Sequence, residues 1–123
     1  MRVERELMRG AGPAAVLRLL ESGEKYGYEL VRLLERQSDG VLAMGQSTLY
    51  PLLYNLEAKG LIASRTEIAP DTARPRKYYR LTDKGQRRLA RERQQWEALS
   101  MAMGKLGLIS PAGNGSASGP VGA

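Results

Sequence analysis

The stretch from Ser47 to Leu81 constrains the fold more than any other. Leu49, Leu52, Leu53 and Leu56 recur at the i, i+3, i+4, i+7 spacing of a helix buried along one face. The helix starts near Ser47, because the Pro51 ring would clash with a helical carbonyl four residues earlier if it began much sooner, and Ser47 or Thr48 is the expected cap. Lys59-Gly60-Leu61 ends it: Gly60 can turn left-handed after the last turn and Leu61 can fold back onto it. Two β-rich stretches follow, Ile62–Ile68 and Arg76–Leu81, around a polar loop holding Pro70 and Pro75. That pattern reads as a hairpin with a long tip.

Two helices precede this unit. Pro13 suits the first turn of a helix through Val16, Leu17, Leu19 and Leu20 that ends near Ser22-Gly23. Residues 3–9 read as a separate helical piece, with Gly10 and Gly12 weakening the join. A second helix runs from about Gly27 to Gln37 and is ended by Ser38-Asp39-Gly40. Helix, helix, helix, hairpin is the winged-helix order, in which the third helix enters the major groove of a duplex. After Thr82-Asp83 a last helix begins, and the next breaker after Gly85 is Gly104. Positions 89, 92, 96, 99, 103 and 106 hold Leu, Glu, Trp, Leu, Met and Leu, a coiled-coil-like seam imperfect at Glu92. The expected fold is mainly α with a small β-hairpin: a winged helix-turn-helix over 1–81, a long C-terminal dimerisation helix over 82–108, and a disordered tail over 109–123, where composition narrows to Pro, Ala, Gly, Asn, Ser and Val after Pro111.

Charge becomes informative once it is located. Residues 1–60 carry 8 Lys/Arg and 8 Asp/Glu, while residues 61–123 carry 11 against 5, which accounts for the whole net charge of +6. Nine bases fall within 74–93 against Asp83 and Glu92. Such a stretch is either a footprint for a polyanion or a solvated helix face. The chain has no cysteine and no histidine, so disulfides, thiolate chemistry and the commonest general base and nitrogen metal ligand are all missing. Ser47, Thr48 and Tyr50 make no nucleophile–base set without histidine. No catalytic residue, metal site or cofactor is expected. No apolar run approaches the roughly 20 residues of a membrane span, and Met1 to Glu6 do not resemble an export signal. A cytoplasmic protein is expected.

The third helix turns Ser47, Pro51, Tyr54 and Ala58 away from its leucines, with Tyr50 and Asn55 on the flanks. This face is small, hydroxylated and uncharged. It can approach base edges, but it has no arginine to fork onto guanine, so grip should come largely from phosphate contacts. Arg74, Arg76 and Lys77 at the hairpin tip supply the charge, with Arg80 on the return strand, although a solvated loop with three bases has the same composition.

Tyr26-Gly27-Tyr28-Glu29-Leu30, Ser47-Thr48-Leu49-Tyr50-Pro51-Leu52-Leu53, Leu56-Glu57-Ala58-Lys59-Gly60-Leu61-Ile62 and Arg76-Lys77-Tyr78-Tyr79-Arg80-Leu81-Thr82-Asp83-Lys84-Gly85 resemble the PadR family of regulators. The resemblance covers roughly residues 5–106 and points to the short subfamily, in which one long helix dimerises. It departs in the first helix, where Ala11, Gly12, Pro13, Ala14 and Ala15 replace larger aliphatics. It implies a homodimer that represses from an inverted-repeat operator in double-stranded DNA and lets go when an effector binds. Carried over by position, Gln46, Ser47, Thr48, Tyr50, Tyr54, Asn55, Arg74, Arg76 and Lys77 would face DNA, and Tyr26 and Tyr28 would meet phosphates. The dimer seam would comprise Leu89, Trp96, Leu99, Met103 and Leu106. Trp96, with Met8, Ala15, Glu92 and Ser100, would hold a planar aromatic or phenolic guest between subunits; the alternative is that Trp96 is plain interface core. A winged-helix protein-interaction module with no operator or ligand is the competing function.

Overall fold

The first helix owes its length to burial rather than to propensity. In the computed structural model, which describes residues 1–110, α1 (Arg5–Glu21) is continuous, with Pro13 in its interior. This corrects the expectation of two pieces joined at Gly10 and Gly12. An interior proline costs a helix about 3 kcal/mol and a glycine about 1 kcal/mol. Against that, Met8, Gly12, Val16, Leu19 and Leu20 fall at helical spacing and are all buried, and each large apolar side chain returns about 1.5–3 kcal/mol. Gly12 also permits close packing: a Cβ there would lie 3.3 Å from both Leu52 Cδ1 and Met44 Cε.

Residues Lys25–Tyr26 form a two-residue strand, β1, that leads directly into α2 (Gly27–Gln37). The Glu29 carboxylate accepts the Tyr26 N–H at 3.2 Å, tying down the start of that helix. At its far end Asp39 and Gly40 take positive φ, 52° and 82°, and the chain turns toward α3 (Gln46–Ala58). The N-cap of α3 is Gly45, with no side-chain cap, since Ser47 and Thr48 lie two and three residues further on, already inside the first turn. Expected hydroxyl capping is therefore absent. The predicted stop is present in full: Gly60 has φ 76°, its N–H reaches the Glu57 carbonyl at 2.9 Å, and the Leu61 N–H reaches Leu56 at 3.0 Å.

β2 (Ile62–Ile68) and β3 (Pro75–Leu81) form the hairpin, paired from Ile62 opposite Leu81 to Ile68 opposite Pro75. The sheet has three antiparallel strands in the order β1-β3-β2, because Lys25 and Tyr26 pair with Tyr79 and Tyr78. Two residues are too short a run for periodicity to signal, so β1 went unforeseen. The core gathers Leu17, Leu30, Leu49, Leu53 and Ile62, each fully buried, from three helices and β2.

α4 (Asp83–Lys105) opens on Thr82, whose hydroxyl oxygen accepts the Gly85 N–H at 3.0 Å. One compact unit runs from Met1 to Leu89 and a second begins at Ala90. Leu89 is 4% exposed in the core of the first unit. It is already spent within its own chain, which removes it from the seam expected to meet a partner. In the second unit Trp96, Leu99, Met101 and Leu106 are exposed and Met103 is half-buried. Gly107, at φ 86°, ends α4 with the Leu108 N–H on the Met103 carbonyl at 2.9 Å. Among the described residues no helix is long and apolar enough to cross a membrane, and no cluster of acids could hold a metal. The expected disordered tail lies, beyond Ser110, outside the described residues.

Candidate nucleic-acid interface

Burying Leu49 and Leu53 beneath α3 leaves Gln46, Ser47, Thr48, Tyr50, Tyr54 and Asn55 exposed on its outer side. Tyr54 is 77% exposed, against 42% for Tyr50. Beside the helix opens a groove of about 820 Å³. Its first wall is the start of α2, with Tyr26, Gly27, Tyr28 and Arg32, and its floor takes Gln46 and Tyr50 from α3. The wing supplies the rest of the lining, with Asp71, Thr72, Arg74, Arg76 and Lys77. Seven residues singled out from the sequence therefore share one concavity: Tyr26, Tyr28, Gln46, Tyr50, Arg74, Arg76 and Lys77. Ser47, Thr48, Tyr54 and Asn55 sit on α3 outside it.

Gly27 belongs to this geometry. A Cβ at that position would come within 2.5 Å of Tyr50 Cε1 and 2.8 Å of its hydroxyl, so the absent side chain is what lets the Tyr50 ring lie across the start of α2.

The wing's cations are held to different degrees. The Arg76 guanidinium lies 4.1 Å from the Tyr26 ring centre, and its Nη2 is 3.1 Å from Asp71 Oδ1. Its neighbours in β3 continue the stack: Tyr78 meets Tyr26 edge-on at 5.8 Å, and Arg65 of β2 lies 5.1 Å from Tyr78. Arg65 in turn donates to Glu24 at 2.7 and 2.9 Å and pairs with Glu67. The Arg65 hydrogen bond holds the Glu24 carboxyl below the usual carboxylate range. Lys77 is 3.8 Å from Glu57 of α3, whose other oxygen accepts the Ser64 hydroxyl at 2.6 Å. Arg74 is exposed, and among the described residues no ion pair engages it.

The tip itself is closed. The Ala69 N–H donates to the Arg74 carbonyl and the Ala73 N–H to the Ala69 carbonyl, both at 2.8 Å, with Ala73 at φ 59°. Ala69 is fully buried. A tip ordered this way fixes the backbone from which its bases project.

Sequence reasoning missed Arg32, Asp71 and Thr72 on the groove walls. Arg32 carried a usable signal: it stands four residues after Tyr28, hence on the same helical face, and its guanidinium lies 5.9 Å from that ring. Asp71 carried none, because its reach to Arg76 depends on how the tip closes.

Of the residues expected to hold an effector, Met8 is 7% exposed and already in the core of its own chain, and Ala15 is half-buried on α1. Met8 thus offers little surface to a guest. Glu92, Trp96 and Ser100 follow at intervals of four along α4, and the Trp96 indole N–H donates to Glu92 Oε1 at 3.2 Å.

Comparison with known proteins agrees with the fold and the motifs. Residues 16–91 match the transcriptional regulator PadR-like family. The chain is 34% identical over 113 residues to the transcriptional regulator Rv3488 of Mycobacterium tuberculosis, covering 91% of this chain and 99% of that one. A PadR family transcriptional regulator from Eggerthella lenta is 40% identical with a TM-score of 0.72, over 82% of this chain and 85% of the other. Bacillus subtilis PadR, in a crystal structure with operator DNA, is 31% identical with a TM-score of 0.59, over 65% of this chain and 44% of that one. With a winged-helix fold, the tyrosine-lined groove and these matches together, the chain belongs to the PadR-like family of transcriptional regulators.

Proposed function

We propose that this regulator is a homodimeric repressor that grips an inverted-repeat operator through α3 and the wing. The groove carries the reading: it gathers Tyr26, Tyr28, Gln46 and Tyr50 with Arg74, Arg76 and Lys77. Cations on both walls suit phosphates, and the α3 start, which no side chain caps, favours an anion at its N–H groups. Between them the exposed face of α3 is uncharged and close-fitting, as base edges require. The B. subtilis relative crystallised on operator DNA is the precedent.

Each half of the binding energy then has its own origin. Phosphate contacts supply affinity and salt dependence, while Ser47, Thr48, Tyr54 and Asn55 supply the weaker sequence preference. The exposed apolar row of Trp96, Leu99 and Leu106 is the expected meeting surface of two copies, since exposed side chains of this size are costly to leave in water. A planar or phenolic effector stacking on Trp96 beside Glu92 and Ser100 would act through that interface.

Binding should be measured by fluorescence anisotropy on an inverted-repeat fragment from beside the protein's own gene and on a random duplex of equal length. Preference for the first, lost on Arg74→Ala or Lys77→Ala, supports the operator reading. Equal affinity for both would refute it, and no binding to either would favour a protein partner for the groove. Planar dyes should quench Trp96, and Trp96→Ala should lose dye binding while retaining operator affinity; dye binding unchanged in that variant would place the effector elsewhere.

A further inference from the structure

Among the described residues lining the groove, one is acidic. Asp71 stands on the same wall as Arg74, Arg76 and Lys77, where a duplex would present only negative charge. Its two carboxylate oxygens lie 3.1 and 3.3 Å from the same nitrogen of Arg76, Nη2. The Arg76 side chain is only 20% exposed, flattened against Tyr26, whereas Asp71 is 64% exposed and faces solvent. Through the Arg76 hydrogen bond the Asp71 carboxyl is held below the usual carboxylate range, so it remains charged wherever the protein is folded near neutrality. Closure of the tip, through the Ala69–Arg74 and Ala73–Ala69 hydrogen bonds, is what brings it back toward β3.

We propose that Asp71 is a brake on sequence-independent DNA binding, occupying Arg76 in the free protein as a stand-in for phosphate. The proposal rests on the duplex-binding reading above. A phosphate reaching Arg76 must displace a carboxylate already there and then lie beside it, so one of the wing's cations is largely withheld from any duplex. Binding to random DNA depends almost wholly on such charge contacts. Lowering that background matters to a regulator because non-specific sites vastly outnumber operators in a genome. Arg76 is accordingly a positioning residue first, fixing the wing against Tyr26, and a phosphate contact only when Asp71 yields.

The test uses the full chain and a random-sequence duplex, with salt titrated from 50 to 200 mM. Asp71→Asn keeps the shape and removes the charge, and Asp71→Ser removes it with a different side chain, so one poorly folding variant would not mask the result. Both should bind random DNA about 3–10-fold more tightly at the low-salt end, with the salt dependence steepened by up to about 0.9 per protomer. That slope change alone makes the advantage shrink roughly 3–4-fold across the titration. Asp71→Glu should stay near wild type. In an Arg76→Gln background, Asp71→Asn should give a clearly smaller gain. Unchanged or weaker binding in both neutral variants would overturn the proposal, as would an equal gain without Arg76. Folded wild-type protein that binds no duplex would instead defeat the DNA-binding reading itself.

Discussion

Gly85→Ala should be among the most damaging single-methyl changes available in the head, the Met1–Leu89 unit. An ideal Cβ at Gly85 would sit 2.0 Å from the Leu61 carbonyl oxygen, 3.0 Å from the carbonyl carbon and 2.8 Å from Leu81 Cδ1. A carbon and a carbonyl oxygen ordinarily approach to about 3.3–3.6 Å, so the start of α4 must retreat by more than about 1 Å. Leu81 can swing aside, but Leu61 cannot, since its N–H closes the α3 stop on Leu56 at 3.0 Å. The retreat pulls on the bonds between the two helix ends: the Thr82 N–H to Leu61 at 3.2 Å, the Thr82 hydroxyl to Gly60 at 2.7 Å, and Lys84 Nζ to the Lys59 carbonyl at 2.8 Å. Overpacking costs about 1–3 kcal/mol. Each hydrogen bond lost adds about 1 kcal/mol, and alanine returns just under about 1 kcal/mol as a better helix former. The net is a loss of about 2–4 kcal/mol, or roughly 10–20 °C in melting temperature for a domain of this size. Urea unfolding followed by far-UV circular dichroism, at one fixed protein concentration, measures it. Gly10→Ala is the control: nothing lies within 4 Å of its Cβ, and it should gain about 0.5–1 kcal/mol from helix propensity. A Gly85→Ala protein as stable as wild type, with an unchanged denaturant slope, would refute the packing argument.

Other expectations follow from the same geometry. The three nearest atoms to a Cβ in Gly27→Ala all belong to the far end of the Tyr50 side chain, so the substitution should cost less than about 1 kcal/mol of stability while displacing the ring and weakening duplex binding several-fold; unchanged anisotropy titrations would remove Tyr50 from the interface. Leu99→Asp or Leu106→Asp should give monomers by sedimentation, because both side chains are exposed on the expected seam; an intact dimer would relocate it. Burial, aided by Glu57 and Tyr50, pushes the Tyr79 hydroxyl above its ordinary value of 10.0. The folded state then holds this proton more tightly than the unfolded chain, so its contribution is complete below pH 10 and is lost as pH rises from there through the folded value. Tyr79→Phe should remove that part of the alkaline fall in melting temperature, and an identical pH profile in the variant would show that Tyr79 does not cause it.

What was legible in the sequence is what depends on neighbours in the chain. The stripe of α3, its stop at Gly60, the hairpin and the start of α4 are local patterns, each set by spacing or by one residue's backbone preference. Pro13 and Gly12 misled because their helix is held by what lies across from it: Leu52 and Met44 fill the space that Gly12 leaves. The seam at Leu89 had the right period, but period does not tell which of two apolar surfaces a leucine joins. In the groove, residue types marked the cations and tyrosines. Their pairing was hidden, since Arg76 with Tyr26 and Lys77 with Glu57 are contacts between segments far apart in sequence.

The pairing of Lys25 and Tyr26 with Tyr79 and Tyr78 closes a loop of chain that contains α2, α3 and β2. Those few backbone bonds tie the start of α2 to β3, the central strand, where Tyr79 is buried. Hydrogen exchange at these amides should therefore report the opening of the whole head rather than a fraying edge. With so small a clasp, the start of α2 and the wing should lose their structure together, and equal exchange protection in α2 and β3 would show it.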